Sequence, residues 1–256
     1  MTRVLTALLL IPTFCYLVLW APWWAFLVSV AAVAVLCYHE FIGLAALHEI
    51  AKPGVFGYAA GLLILLVPVK DPAFYVLIAI LAMALGLRSQ NLGAALPYAA
   101  ALVFGIAYVF GSLRCGIDLR QISPYWLFFA LSLNWAGDIA ALYVGKLLGK
   151  HRLSPRISPA KSWEGALGSV AASVVYGAIY LPRLLPAVPL AEGLTLAALA
   201  NIAGQIGDLC ESALKRGAGV KDSGTLLPGH GGWLDRMDSS LFALPVVYFI
   251  VSNFHW

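Results

Sequence analysis

The stretch PYWLFFALSLNWAGDIAALYVGKLL, from Pro124 to Leu148, decides the class of fold. It holds a single acidic residue, Asp138, and a single basic one, Lys146. A run of about 20 apolar residues is what one bilayer-spanning helix requires. A carboxylate in the middle of such a helix is costly unless it is paired or faces a water-filled space, so Asp138 is a candidate functional residue by default. Asn134 lies one turn before it, and the two side chains have a plainer alternative in hydrogen bonds between packed helices.

Outward from this helix the pattern repeats. Apolar runs occupy residues 4–20, 23–38, 55–69, 73–87, 96–113, 124–148, 163–181, 190–214 and 239–252. Of the 256 residues 62% are hydrophobic and only 11% are charged, and the mean hydropathy is +0.89. Too few polar side chains are present to clothe a water-soluble enzyme of this size. The opening run has one Arg before it and a poor small-residue cleavage site, so it reads as the first span. The expectation is an all-α polytopic integral membrane protein with about nine transmembrane helices and a polar cavity facing the cytoplasm. A single membrane-embedded domain is expected over 1–256, with N-terminal helices in 1–120 and catalytic helices in 121–256. Residues 39–53 carry His39, Glu40, His48, Glu49 and Lys52 around an apolar stripe, which predicts an amphipathic helix lying along the membrane surface. Cys15, Cys37, Cys115 and Cys210 form no C-x-x-C pair, so neither a disulfide framework nor a zinc site is indicated.

Charge sets the orientation. With the N-terminus in the cytoplasm and nine crossings, twelve of the 16 Lys and Arg residues fall inside, and Lys70, Arg114, Arg120 and Arg183 fall outside. The opposite orientation reverses this positive-inside bias. The formal charge of +4 is too weak a bias for a nucleic-acid-binding protein.

Two segments on the cytoplasmic side hold most of the remaining polar residues. The first runs from Asn134 and Asp138 to Gly165. Within it Ser158-Pro159 reads as an N-cap with proline at the first helical position, which places Lys161 and Ser162 in the first turn of the next helix. A helix start with a Lys and two hydroxyls suits a phosphate. The second segment places Asp208, Glu211, Ser212 and Lys215 at i, i+3, i+4 and i+7, on one helical face. Arg216, Lys221 and Asp222 follow, then the glycine-rich Pro228-Gly-His-Gly-Gly232. Asp235, Arg236 and Asp238 open the last span. Two acidic pairs flanking a glycine-rich loop form a layout for Mg²⁺, which takes carboxylate oxygens and leaves positions for phosphate oxygens. Gly231 and Gly232 let backbone N–H groups approach a phosphate, and His230 suits a hydrogen bond to phosphate or carboxylate. No P-loop, G-x-S-x-G elbow or H-E-x-x-H motif is present. Carboxylates, Lys/Arg and glycines without an evident nucleophile point to metal-assisted transfer of a phosphorus group, between a soluble nucleotide and a lipid phosphate.

The segment Ser212-x-Leu-Lys-Arg-x4-Lys-Asp-x-Gly-x2-Leu-Pro-x-His-Gly-Gly-x2-Asp-Arg-x-Asp238 is similar, over its 27 positions, to the hallmark of phosphatidate cytidylyltransferases, also called CDP-diacylglycerol synthases. Residues 134–165 resemble the upstream block of that family. Ala160 is a departure, since a second lysine or a glycine is common there, and it leaves Lys161 as the basic group of that site. The resemblance implies transfer of a cytidylyl group from CTP to phosphatidate, giving CDP-diacylglycerol and pyrophosphate. It further implies Mg²⁺, with K⁺ as a possible companion, held by the aspartates matching Asp208 and Asp238 with Asp235 in support. It also implies a homodimer in a bacterial cytoplasmic membrane, with the site on the inner side. Lys215, Arg216, Lys221 and Lys161 are then expected to neutralise phosphates.

Four other readings compete. A CTP-dependent lipid kinase releases CDP instead of pyrophosphate, and an archaeal lipid-phosphate cytidylyltransferase differs in its acceptor. A CDP-alcohol phosphatidyltransferase needs aspartates at D-x3-D spacing, whereas the terminal pair here is D-x2-D. An ion-coupled transporter predicts internal pseudo-symmetry, and none is visible.

Overall fold

Each of the nine apolar runs folds as a helix in the computed structural model of the chain, which describes residues 2–68, 71–88, 91–227, 229 and 231–254. The helices are α1 (Thr2–Leu19), α2 (Trp23–Leu47), α3 (Gly54–Leu66), α4 (Pro72–Gly86), a continuous helix Leu92–Ile122, α7 (Pro124–Leu148), α8 (Trp163–Leu184), α9 (Leu190–Gly217) and α10 (Leu234–Phe254). The continuous helix comprises a 3₁₀ turn, α5 (Ala95–Gly105), a π-helical segment (Ile106–Gly111) and α6 (Ser112–Ile122). Among the described residues, five helices are long and apolar enough to cross a membrane: α2, Leu92–Ile122, α7, α8 and α10. The starts of α4, α7 and α8 are capped by Asp71, Ser123 and Ser162, whose side chains accept from Ala73, Tyr125 and Gly165 N–H. Proline at the first position of α4 and α7 costs no helical hydrogen bond.

The distribution of side chains is that of a protein solvated by lipid. Val55, Leu147, Trp20 and Trp24 face outward, whereas Ser169, Ser173, Asn201 and Asn134 are buried. Lipid offers no hydrogen bonds, so polar groups within the span turn toward each other. A polar seam accordingly joins α7, α8 and α9. Asn201 Nδ2 donates to Ser169 Oγ at 3.1 Å, and Gln205 Nε2 donates to Asn201 Oδ1 at 2.7 Å and to the Ala166 carbonyl at 3.2 Å. Gly137 and Gly204 make the close approach possible. A Cβ on Gly137 would run into Asn201, Ser169 and Ser173, and one on Gly204 into Asn134.

Two local expectations are corrected. Residues 39–47 do not form a surface helix; α2 continues unbroken to Leu47, and Glu40 is only 4% exposed. Its charge is tolerated there because its carboxylate receives hydrogen bonds from the loop before α10. Nor does Ser158 cap a helix. Residues Ser158–Ser162 form a strand, β2, paired antiparallel with β1 (Arg152–Ser154). The cap falls to Ser162, four residues later, so Lys161 lies on the strand just before the helix instead of in its first turn.

Hydrogen bonds record which helix ends lie together. His48 Nε2 meets the Leu214 carbonyl at 3.0 Å, joining the C-terminal ends of α2 and α9. Arg120 donates from Nε to Val18 O at 2.8 Å and from its Nη2 to Ala21 O at 2.6 Å, with its guanidinium 4.1 Å above the Phe26 ring, joining the C-terminal ends of α1 and α6. Overfilling the polar seam should loosen the bundle: Gly137→Val is expected to lose about 1–3 kcal/mol of stability, read as a lowered thermal unfolding midpoint in detergent. Gly43→Ala, where nothing lies within 4 Å, should leave the midpoint unchanged or slightly raised.

Candidate active site

The site forms where α7, the β1–β2 hairpin, α9 and the segment leading into α10 meet. The helical face predicted on α9 is present: Ser212 Oγ donates to Asp208 Oδ1 at 3.3 Å, and Lys215 Nζ donates to Glu211 Oε2 at 3.2 Å. β2 brings Lys161 to this face from outside the helix, with Nζ 2.5 Å from Asp208 Oδ2. Both side chains of that pair are about 30% exposed, so the pair opens to solvent.

Lys215 is placed differently. Its ammonium bridges Glu211 and Asp235, 2.5 Å from Asp235 Oδ1, in a buried triad. Asp235 Oδ2 meanwhile accepts from Ser223 N at 2.9 Å, Gly232 N at 2.8 Å and Ser223 Oγ at 3.0 Å. The carboxylate of Asp235 is thus wholly engaged in fixing the loop between α9 and α10. The Gly232 amide is consumed by the same contact. Gly229 and Gly231 take the left-handed conformation, at φ 75° and 78°, and Leu227 N donates to Gly231 O at 2.9 Å to close the turn. His230 and Pro228 lie outside the described residues. Arg216 donates to the Val220 carbonyl at 2.9 Å, closing the loop on its other side.

Two clefts adjoin this framework. The larger, of about 660 Å³, is lined by Lys221, Asp222, Gly231 and Arg236 among others. The smaller, of about 370 Å³, is lined by Asp138, Ser158, Lys161, Ser162 and Asp208, with apolar Leu142 and Leu153. Asp138 lines the smaller cleft together with the ion pair of Lys161 and Asp208. Asn134, by contrast, is buried against Gly204 and belongs to the packing of α7 on α9.

The carboxyl groups of Glu211 and Asp238 are near enough to bear on one another electrostatically. Glu211 Oε1 is buried and no donor reaches it. Two neighbouring carboxyl groups need a proton or a cation between them, so this corner suits a positive ion. Among the described residues no three His, Cys, Asp or Glu side chains converge tightly enough to hold a metal by themselves. Such a corner fits Mg²⁺, which is commonly held by one or two carboxylates while phosphate oxygens and water complete its shell.

Glu40 is the residue that sequence reasoning missed at this site. From α2 it accepts from Ser223 Oγ at 2.9 Å, Trp233 N at 3.0 Å and Leu234 N at 2.8 Å. A glutamate alone within a long apolar run was the available signal.

The model of a family described as the cytidylyltransferase family matches residues 1–254. The phosphatidate cytidylyltransferase of Brucella suis is 36% identical over 255 residues, covering 96% of this chain and 91% of that protein. That of Staphylococcus saprophyticus is 33% identical over 222 residues, 84% of this chain and 85% of the relative. The enzyme of the same name from Bacillus subtilis is 44% identical over 142 residues, 54% of this chain and 52% of its own length.

The two lysines should respond differently to removal of charge. Lys215→Met leaves Glu211 and Asp235 buried and unpaired, at a cost of about 3–5 kcal/mol, and is expected to lower the thermal midpoint steeply. Lys161→Met breaks a half-exposed pair worth at most about 1 kcal/mol, so the midpoint should hardly move. Equal midpoints for the two variants would contradict this account of the triad.

Proposed function

Because the chain belongs to the cytidylyltransferase family, we propose that it transfers a cytidylyl group from CTP to phosphatidate, releasing pyrophosphate. The observation that carries this reading is the match over 96% of the chain to a relative bearing the name of that activity. The geometry suits the reaction: one cleft is lined by Lys221, Arg236 and the glycine loop, and the other by Lys161, Asp138 and Asp208.

The larger cleft is assigned to the nucleotide, with Lys221 and Arg236 neutralising its phosphates. The smaller, partly apolar cleft is assigned to the lipid phosphate, with Lys161 as its cation and Ser158 beside it. An oxygen of the lipid phosphate forms a bond to the α-phosphorus of CTP while the bond from that phosphorus to the bridging oxygen breaks, and pyrophosphate leaves with the electron pair. The acceptor is already anionic at neutral pH, so no side chain need remove a proton. Asp208 and Asp238 would hold Mg²⁺, with Glu211 beside them. Bound there, the ion supplies charge neutralisation to two reacting anions. Lys161 and Arg236 lessen the same repulsion, and the walls of the two clefts hold the reactants in line.

The finer architecture belongs to the same proposal. Nine crossings of a bacterial inner membrane, from a cytoplasmic N-terminus, are supported by the Lys and Arg distribution and by the pairing of helix ends at His48–Leu214 and Arg120–Val18. One membrane domain, a cavity open to the cytoplasm and a homodimer complete it, the last on the family resemblance alone.

Purified protein given phosphatidate, Mg²⁺ and labelled CTP should yield CDP-diacylglycerol and pyrophosphate. Release of CDP with phosphorylated lipid would make it a kinase. Asp208→Asn and Asp238→Asn should each lower turnover by at least about a hundredfold, as loss of charge stabilisation at the reacting centre does, while leaving a folded protein. Near-normal turnover of either variant at saturating Mg²⁺ would remove that residue from the site. With one stereoisomer of CTP carrying sulfur on the α-phosphorus, the product should show inversion; retention would mean that a cytidylylated enzyme intervenes.

A further inference from the structure

Glu40 lies on α2, more than 180 residues from the loop it contacts. Its two carboxylate oxygens receive three donors, all from that loop and the start of α10: the Ser223 hydroxyl and the amides of Trp233 and Leu234. Two of these donors, the Ser223 hydroxyl and Trp233 N–H, stand on opposite sides of the glycine turn that floors the larger cleft. The fit is tight as well as polar. A Cβ on Gly224 or on Gly232 would strike the Glu40 carboxylate, so glycine at both positions lets the carboxylate keep its place against the turn.

The Ser223 hydroxyl has one proton and faces two carboxylates, Glu40 Oε2 at 2.9 Å and Asp235 Oδ2 at 3.0 Å. It therefore couples Glu40 to the Asp235–Lys215–Glu211 triad, whose far end is the Glu211–Asp238 corner. Since Asp235 also takes the Gly232 and Ser223 amides, the loop is pinned at both ends from beneath by two carboxylates on different helices. The side chains that line the cleft, Lys221 and Arg236, project from either end of this pinned segment.

We propose that Glu40 is a positioning residue for the nucleotide: it fixes the loop so that the cleft is preformed for CTP, without touching substrate itself. The proposal rests on the assignment of the larger cleft to CTP. It separates the two substrates, because the smaller cleft is built by α7, the β1–β2 hairpin, α8 and α9 and takes nothing from the segment Glu40 holds. Glu40→Gln keeps the volume but presents an NH₂ group to a ring of donors, so the loop loses partners while α2 remains a helix.

The test is binding of labelled CTP to purified protein in detergent by equilibrium dialysis, together with kinetics against each substrate in turn. The Glu40→Gln variant should bind CTP at least about tenfold more weakly and show a comparable rise in KM for CTP, with KM for phosphatidate within about twofold of the parent. Ser223→Ala, which removes only the bridging hydroxyl, should shift CTP binding in the same direction by a smaller factor, and serves if Glu40→Gln fails to insert. CTP binding unchanged in either folded variant, or KM raised equally for both substrates, would overturn the proposal. Failure of the parent protein to bind CTP would instead overturn the assignment of the cleft, and the proposal with it.

Discussion

A helix bundle whose outer surface faces hydrocarbon has no water with which to satisfy its carboxylates, and the polar architecture follows from that constraint. The triad of Glu211, Lys215 and Asp235 answers it most directly, with one ammonium shared by two buried carboxylates. Desolvating three charges is expensive, and their mutual attraction offsets that cost only when the remaining oxygens are also hydrogen-bonded. Asp235 meets this condition by taking the Ser223 and Gly232 amides, so a loop with little apolar content of its own becomes part of the protein interior. Glu211 leaves one oxygen without a donor, beside Asp238. Within the triad, the one oxygen without a donor therefore lies at the corner proposed for the positive ion.

This arrangement makes chemical sense of joining two anions. Carboxylates alone would repel both substrates, and lysines alone would hold them without an order of approach. Here Lys221 and Arg236 stand in one cleft with Asp222, and Lys161 stands in the other with Asp138 and Asp208. Among the described residues the one sheet in the helical bundle is the β1–β2 hairpin, and it carries Lys161 to Asp208. An α-helical Lys161 would have been bound to the geometry of α8; on a strand it reaches across to α9.

Much of the fold was legible because a spanning helix announces itself by composition, and all nine apolar runs became helices. Periodicity placed Asp208, Glu211, Ser212 and Lys215 on one face, since a regular helix leaves no other option. Contacts between distant segments left no such trace. Residues 39–53 read as amphipathic because His39, Glu40, His48, Glu49 and Lys52 flank an apolar stripe, yet Glu40 finds its donors in Ser223, Trp233 and Leu234. Ser158-Pro159 carries a helix-start signature, yet pairing with Arg152–Ser154 holds it extended, and the equally competent Ser162 takes the cap. Asp235 and Asp238 looked equivalent at i, i+3 spacing. Only their neighbours, a lysine and two amides for one and a second carboxyl group for the other, separate their roles.

The bond from Leu234 N–H to Glu40 spans 194 residues of chain, and that span is also a delay. At about 5–20 residues per second of synthesis, Glu40 enters the membrane region some 10–40 seconds before the donors that will satisfy it exist. Throughout that interval α2 holds a carboxylate without its eventual partners, and the incomplete chain has neither the pinned loop nor the corner formed with α10. Helix α10 thus completes a site that α2 entered far earlier. A chain able to bring nucleotide and lipid together acquires that ability only once α10 has been made and has docked.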